Sequence, residues 1–193
     1  MKESINLQIH PNPGIISDTM TQGIIILGSA NSQGDTFKHA HYLSQLTGFP
    51  MLDLKTKNIL PFDYEFKNQE DDFLDTFKEI VDNYNLLIFA TPVYWYSMSG
   101  IMKIFFDRIS DCLKIHKDSG RKLRGKKMAV LSAGYDRELK PGFHMPFIES
   151  AKYLGMTYVG DTHLAEEKSD LENQNAIHEF AQRLQPDTQG ATP

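Results

Sequence analysis

The 193-residue chain holds a single cysteine, Cys112. One thiol cannot close an internal disulfide, nor supply the ligands of an iron–sulfur cluster or a structural zinc site, so redox chemistry here needs a borrowed cofactor. A positive surplus is missing too. Twenty Lys plus Arg stand against 25 Asp plus Glu, a formal charge of −5, and no basic block is long enough to track a phosphate backbone. That disfavours nucleic-acid partners. The longest apolar runs, such as Leu86–Ala90, are strand-sized, and the opening MKESINLQIH lacks the apolar core of a signal peptide. The expectation is a cytoplasmic protein with no membrane span. Its 40% hydrophobic and 23% charged residues suit one globular domain with a sizeable core.

Three segments are expected: an N-terminal extension over residues 1–22, without clear periodicity and poorly ordered, a folded domain over 23–184, and a tail over 185–193 that reads QPDTQGATP. Within the domain, short apolar runs alternate with amphipathic stretches. Ile24–Gly28, Met51–Leu54, Leu86–Ala90, Met128–Ser132 and Thr157–Leu164 read as strands. Helical periodicity falls over Thr36–Leu46, Glu70–Tyr84, the stretch after Ser99 that carries Ile101, Ile104, Phe105 and Ile109, Pro141–Leu154, and the run to Leu184 that begins with a Ser169/Glu172 capping box. Five strands separated by helices predict a doubly wound five-stranded parallel sheet with helices on both faces. Ligands of such sheets sit beyond the carboxyl ends of the strands, which directs the search to Ser29–Asp35, Thr91–Met98 and Ala133–Lys140.

The first of these, GSANSQGDT from Gly28 to Thr36, opens a helix whose free N–H groups could hold an anion. It is not a Walker A loop, because five residues separate Gly28 from Gly34 and Asp35 stands where the lysine belongs. Nor is it the dinucleotide fingerprint, since no second glycine arrives before Gly34. Ser29, Asn31, Ser32, Gln33 and Thr36 can donate hydrogen bonds to a phosphate monoester; equally, Ser32 and Asp35 can simply cap the helix. TPVYWYSMSG, from Thr91 to Gly100, places Tyr94, Trp95 and Tyr96 in a loop, and three consecutive aromatics cannot all enter one core. Either a planar cofactor or a partner subunit would cover them.

GSANSQGDT after the first strand, TPVYWYSMSG with IMKIFFDR after the third, and SAGYD after the fourth resemble the NADPH-dependent FMN reductase family of flavodoxin-like flavoproteins, over Gly23 to Phe180. The resemblance implies a flavodoxin-like α/β fold and an FMN-dependent NAD(P)H oxidoreductase. A hydride would pass from NADPH or NADH, the co-substrate, to bound FMN and on to a small acceptor such as a quinone or flavin, in a ping-pong scheme. Ser29, Asn31, Ser32, Gly34, Asp35 and Thr36 would surround the phosphate. Pro92, Val93, Tyr94, Trp95, Tyr96 and Ser97 would run along the isoalloxazine, with Ser132, Ala133, Gly134 and Tyr135 as the third wall. No catalytic side chain and no metal are implied, and assembly would be as a homodimer or homotetramer. Many members carry an arginine in the first loop; this chain has no basic residue there, and Asp35 would repel the phosphate unless it points away. The alternatives are a flavodoxin-like electron carrier reduced by a partner reductase, and a binding module without flavin.

The remaining candidates read as structural. His39 and His41 lie two apart, on nearly opposite sides of a helix, which does not suit a shared metal. His144 either meets an acceptor or nicotinamide phosphate, or packs at a helix start. Asp107 and Arg108 suggest a structural ion pair or an interface contact, Cys112 a packed and inert thiol, and Met98 and Met102 either pocket or core. RKLRGKK, Arg121–Lys127, most simply keeps a turn solvated, the alternative being attraction of NADPH phosphates.

Overall fold

The computed structural model describes residues 22–185, so the expected extension and tail lie outside the described residues apart from Gln22 and Gln185. Five strands form one parallel sheet in the order β2-β1-β3-β4-β5: β1 Gly23–Leu27, β2 Met51–Asp53, β3 Leu86–Pro92, β4 Lys127–Gly134 and β5 Thr157–Ala165. Six helices join them: α1 Asp35–Thr47, α2 Phe73–Asn83, α3 Gly100–Lys114, the single-turn α4 Lys117–Arg121, α5 Met145–Leu154 and α6 Asp170–Leu184.

Both faces of the sheet are covered, which is why β1 and β3 are buried along their whole length. Successive side chains of a strand point to opposite faces, and the core divides accordingly. Ile24 and Ile26 pack with Phe73, Phe77, Phe105 and Phe147 of α2, α3 and α5, whereas Ile25 and Leu27 pack with Ala40, Leu43, Ile177 and Phe180 of α1 and α6. At full burial each of these large side chains contributes about 1.5–3 kcal/mol.

β3, β4 and β5 run further than the apolar runs suggest, whereas β1 and β2 each stop one residue short of the expected end. β3 continues through Thr91 and Pro92 because these pair with Ser132 and Ala133 of β4, and β4 ends at Gly134 opposite Ala165. The expected helix from Pro141 is shorter at its start: α5 begins at Met145, with Pro146 in its first turn. Gly142 has φ +97°, a left-handed value that no α-helix contains, so Pro141 sits in the preceding turn while Phe143 still reaches the core. The basic run RKLRGKK begins at the last residue of α4, a helix that its composition does not announce.

Arg108 is 1% exposed and organises the long connection between β2 and α2. Its guanidinium donates to the carboxylates of Asp71 and Asp111 and to the carbonyls of Leu60 and Asn68, and lies 4.8 Å from the Phe73 ring centre. It therefore makes structural ion pairs, though not with Asp107, which instead pairs with Lys103. Five N–H donors meeting two carboxylates and two carbonyls hold a segment that has little regular structure of its own. Cys112 is fully buried, and burial pushes its thiol pKa up to about 12. Among the described residues, no helix is long and apolar enough to cross a membrane, and no group of three or more His, Cys, Asp or Glu is placed to hold a metal ion.

Candidate active site

β1 ends at Leu27 beside Ala90, and β3 and β4 run about two residues further, with Pro92 beside Ala133, so the loops that follow all three emerge at one edge of the sheet. Chain direction across the sheet reverses between β1 and β3, which opens a crevice at that edge. A cleft of about 660 Å³ occupies it. Its walls are Ser29, Asn31, Gly34, Asp35 and Thr36 from the first loop, Pro92, Val93 and Tyr94 from the second, and Ala133, Gly134 and Tyr135 from the third. A recess of about 210 Å³ adjoins it, shares Val93, Gly134 and Tyr135, and adds Trp95, Tyr96 and His163.

At the polar end, Gly34 is the N-cap of α1 and offers no side-chain cap, so the first N–H groups of the helix are free to meet an anion. The cap assigned to Ser32 or Asp35 is thus absent. Ser29 and Asn31 brace each other, the Ser29 hydroxyl donating to the Asn31 carbonyl and accepting from the Asn31 N–H, both at 3.1 Å. The Asn31 side chain accepts from the Gln33 N–H at 3.0 Å. Asp35 does border the cleft, yet Lys38 one turn further along α1 donates to it at 2.7 Å. That hydrogen bond holds the Asp35 carboxyl below its ordinary range and answers the charge that the first loop leaves uncompensated. Gly28 serves packing rather than anion binding: a Cβ there would stand 2.8 Å from the Met102 side chain. Met98 and Met102 belong to the core.

At the aromatic end, Tyr94 to Ser97 is a tight turn closed by two backbone bonds, Tyr94 N–H to Ser97 O at 2.9 Å and Ser97 N–H to Tyr94 O at 3.0 Å. Trp95 and Tyr96 occupy its centre with φ +49° and +63°, the left-handed pair of a type I′ turn that normally favours Asn and Gly. The turn holds the two rings away from the core, Trp95 at 93% exposure and Tyr96 at 62%, with Tyr135 at 66% on the third loop. Below it, Thr91 Oγ1 accepts from the Ser99 N–H at 3.0 Å, and the Ser99 hydroxyl caps α3 and donates to the Gly28 carbonyl, which ties the first loop to the second.

Three residues assigned to the site line neither cavity. Ser32 lies outside the cleft, Ser97 contributes its backbone to closing the turn, and Ser132 is fully buried with its hydroxyl against His163 of β5 at 2.9 Å. A strand alternates its faces, so Ala133 can wall the cleft only if Ser132 points elsewhere. Residues that the sequence does not assign to the site also appear: Lys38 and His39 on α1, of which His39 reads as structural in the sequence, and Glu166, Lys168, Asp170 and Asn173 around the start of α6. The Ser169/Glu172 capping box, present as expected, marks the helix start that brings the last of these to the cleft. The Asn173 amide bonds both the N–H and the carbonyl of Ala165. Burial lowers the pKa of His39 below its ordinary 6.5. His41 stacks on Phe37, and His144 packs against Phe143 with Nε2 3.3 Å from Asp161.

A parallel sheet in this order, with a polar helix start and an aromatic turn facing one crevice, defines a flavodoxin-like α/β protein. The chain belongs to the NADPH-dependent FMN reductase family, which it matches over residues 22–170. It is 33% identical over 101 residues to YwqN of Bacillus subtilis, named as an NAD(P)H-dependent FMN-containing oxidoreductase; the match takes in 49% of this chain and 54% of that protein, about half its length. Among solved structures it is similar to the Trp repressor binding protein of Bacillus subtilis, with TM-score 0.67 and 24% identity over 86% of this chain and 99% of the other. The general stress protein 14 of Treponema denticola, solved in complex with FMN, has TM-score 0.61 and 17% identity over 84% of this chain and 97% of the other.

Proposed function

We propose that the chain is an FMN-dependent NAD(P)H oxidoreductase whose cofactor lies along the cleft, phosphate at the start of α1 and ring system at the recess. The observation that carries this reading is the pairing, across one crevice, of an uncapped helix N-terminus with aromatic rings that a strained turn keeps out of the core. The residues present fit such a group. Thr36 and the first N–H groups of α1 suit a phosphate, and Trp95, Tyr96 and Tyr135 offer flat apolar surface to a heteroaromatic ring. FMN, when bound, supplies hydride chemistry between NADPH or NADH and a small acceptor such as a quinone or another flavin, in a ping-pong order.

The chain's own part is to bind and orient. Lys38 neutralises Asp35 beside the phosphate end. In the second loop the N–H groups of Val93, Tyr94 and Ser97 are engaged within the fold, so those of Trp95 and Tyr96 would be the ones available to a negatively charged ring edge, an arrangement that needs no side-chain nucleophile. Ser97 closes the turn of the second loop through its backbone, and Ser132 braces β4 against His163. Assembly as a homodimer or homotetramer belongs to the same reading; light scattering that shows a monomer would remove it.

The deciding test is an anaerobic titration. The full chain is loaded with FMN, NADPH is added stepwise, and the flavin absorbance is followed. One FMN per chain and stoichiometric bleaching are expected. Flavin that binds but is not bleached would transfer the assignment to an electron carrier, and failure to bind FMN would leave a binding module. Trp95→Ala and Ser29→Ala should each weaken FMN binding, by about tenfold for the loss of a stacking ring or a bracing hydrogen bond. Unchanged affinity in both would displace the cofactor from this cleft.

A further inference from the structure

His163 lines the recess and belongs to none of the three loops described above. It lies on β5 opposite Ser132 of β4. Nε2 is 2.9 Å from the Asp136 carbonyl, and Nδ1 is 2.9 Å from the Ser132 hydroxyl. A carbonyl can only accept, so Nε2 carries a proton; in the neutral ring Nδ1 then accepts from the Ser132 hydroxyl at 2.9 Å, a shorter contact than that hydroxyl's 3.4 Å to the Thr162 carbonyl.

The Asp136 carbonyl is the third of three in succession. Glu166 N–H donates to the Gly134 carbonyl at 3.0 Å, Glu167 N–H donates to that of Tyr135 at 3.2 Å, and His163 Nε2–H takes the next. The imidazole therefore continues, by one residue, a ladder that the backbone of the segment after β5 can no longer reach. The Glu167 carboxylate then accepts from the Arg137 N–H at 2.8 Å and closes the series. A Cβ at Gly134 would press on Val93 at 3.2 Å and meet His163 Cε1 at an ordinary contact distance of 3.6 Å. The His163 carbonyl in turn accepts from Lys168 Nζ at 2.8 Å, which links the recess to the main cleft.

We propose that His163, as the neutral Nε2–H imidazole, is a positioning residue that fixes the Gly134–Asp136 segment and so sets the attitude of Tyr135 toward Trp95 and Tyr96. The proposal rests on the cofactor reading given above. Burial lowers the pKa of His163, and the nearby Lys168 and His144 act in the same direction against the contacts with Asp136 and Ser132. His144 faces Asp161 of β5, and Glu167 is engaged with Arg137, so no carboxylate is bonded to the His163 ring.

The test compares the full-length wild type with His163→Leu and His163→Gln, with and without FMN. His163→Leu, which removes the ring's bonds to Asp136 and Ser132, should weaken FMN binding about tenfold and change the visible circular dichroism of the bound flavin. His163→Gln, whose amide N–H can reach the Asp136 carbonyl, should recover most of both. In the free proteins, hydrogen exchange of the amides between Tyr135 and Leu139 should speed up in the leucine variant and not in the glutamine one. Wild-type exchange and affinity in folded His163→Leu would overturn the proposal, as would equal losses in the two variants. If the wild type itself fails to bind FMN, the functional reading falls, and the exchange comparison still decides the role of His163.

Discussion

Two adjacent aromatics in left-handed backbone set a contest between local conformation and surface chemistry. A side chain in this region costs about 1–2 kcal/mol per residue, and glycine avoids the penalty. Tyr96→Gly should therefore raise thermal stability, by about 0.5 kcal/mol once the extra freedom of the unfolded chain is counted, while FMN binding weakens. Differential scanning calorimetry beside a binding titration reads both, and a loss of stability would refute the strain argument. Cys112 gives the opposite case: fully buried, with its pKa pushed up to about 12, it should resist iodoacetamide at pH 8 until the protein unfolds. At this scale the sequence was a partial guide. Three neighbouring aromatics marked a loop whose rings stay out of the core, but not the left-handed turn that holds them there. That Ser132 turns its hydroxyl to β5, and that Gly28 makes room for Met102, depend on neighbours remote in sequence, and no local pattern carries such contacts.

Among the elements, the connection between β2 and α2 depends most on a single side chain. Arg108 replaces the hydrogen bonds that a helix or strand would have supplied there, so Arg108→Leu should cost about 3–5 kcal/mol by leaving Asp71 and Asp111 buried without a counter-charge. Chemical denaturation measures it; a cost below 1 kcal/mol would show that the segment is held by other means. Burial pushes the Asp71 carboxyl up, but the hydrogen bonds from Arg108 and from the Leu60 and Phe73 N–H groups outweigh it and leave the pKa below its ordinary 3.8. The folded value being the lower one, this stabilisation is complete above pH 3.8 and is lost as pH falls through the depressed value. The strands and the long amphipathic helices were legible because burial on one face dictates their periodicity: the stripe of Phe73, Phe77, Ile80 and Val81 became the buried face of α2. The start of α5 was not, since Phe143 keeps the apolar spacing although Gly142 has already broken the helix.

For the molecule as a whole, His39 and His163 both carry pKa values lowered by burial from an ordinary 6.5. Their unfolded forms take up protons first as pH drops, so stability should be level above pH 6.5 and decline as pH falls through 6.5 toward the lowered values. Unfolding midpoints between pH 8 and pH 5 test this, and His163→Gln should shrink the slope. A flat profile would contradict the burial of both rings.

The margins of the sheet limit how copies of this chain can meet. One margin, β2, pairs over only three residues. The other, β5, is broken by a bulge opposite Met128 and Ala129, where Gly160 takes φ +120°. A short border and a kinked one offer poor templates for an added strand. Any assembly should therefore join through helices and loops, each protomer keeping its own sheet, and the protein should withstand the edge-to-edge growth that leads to fibrils.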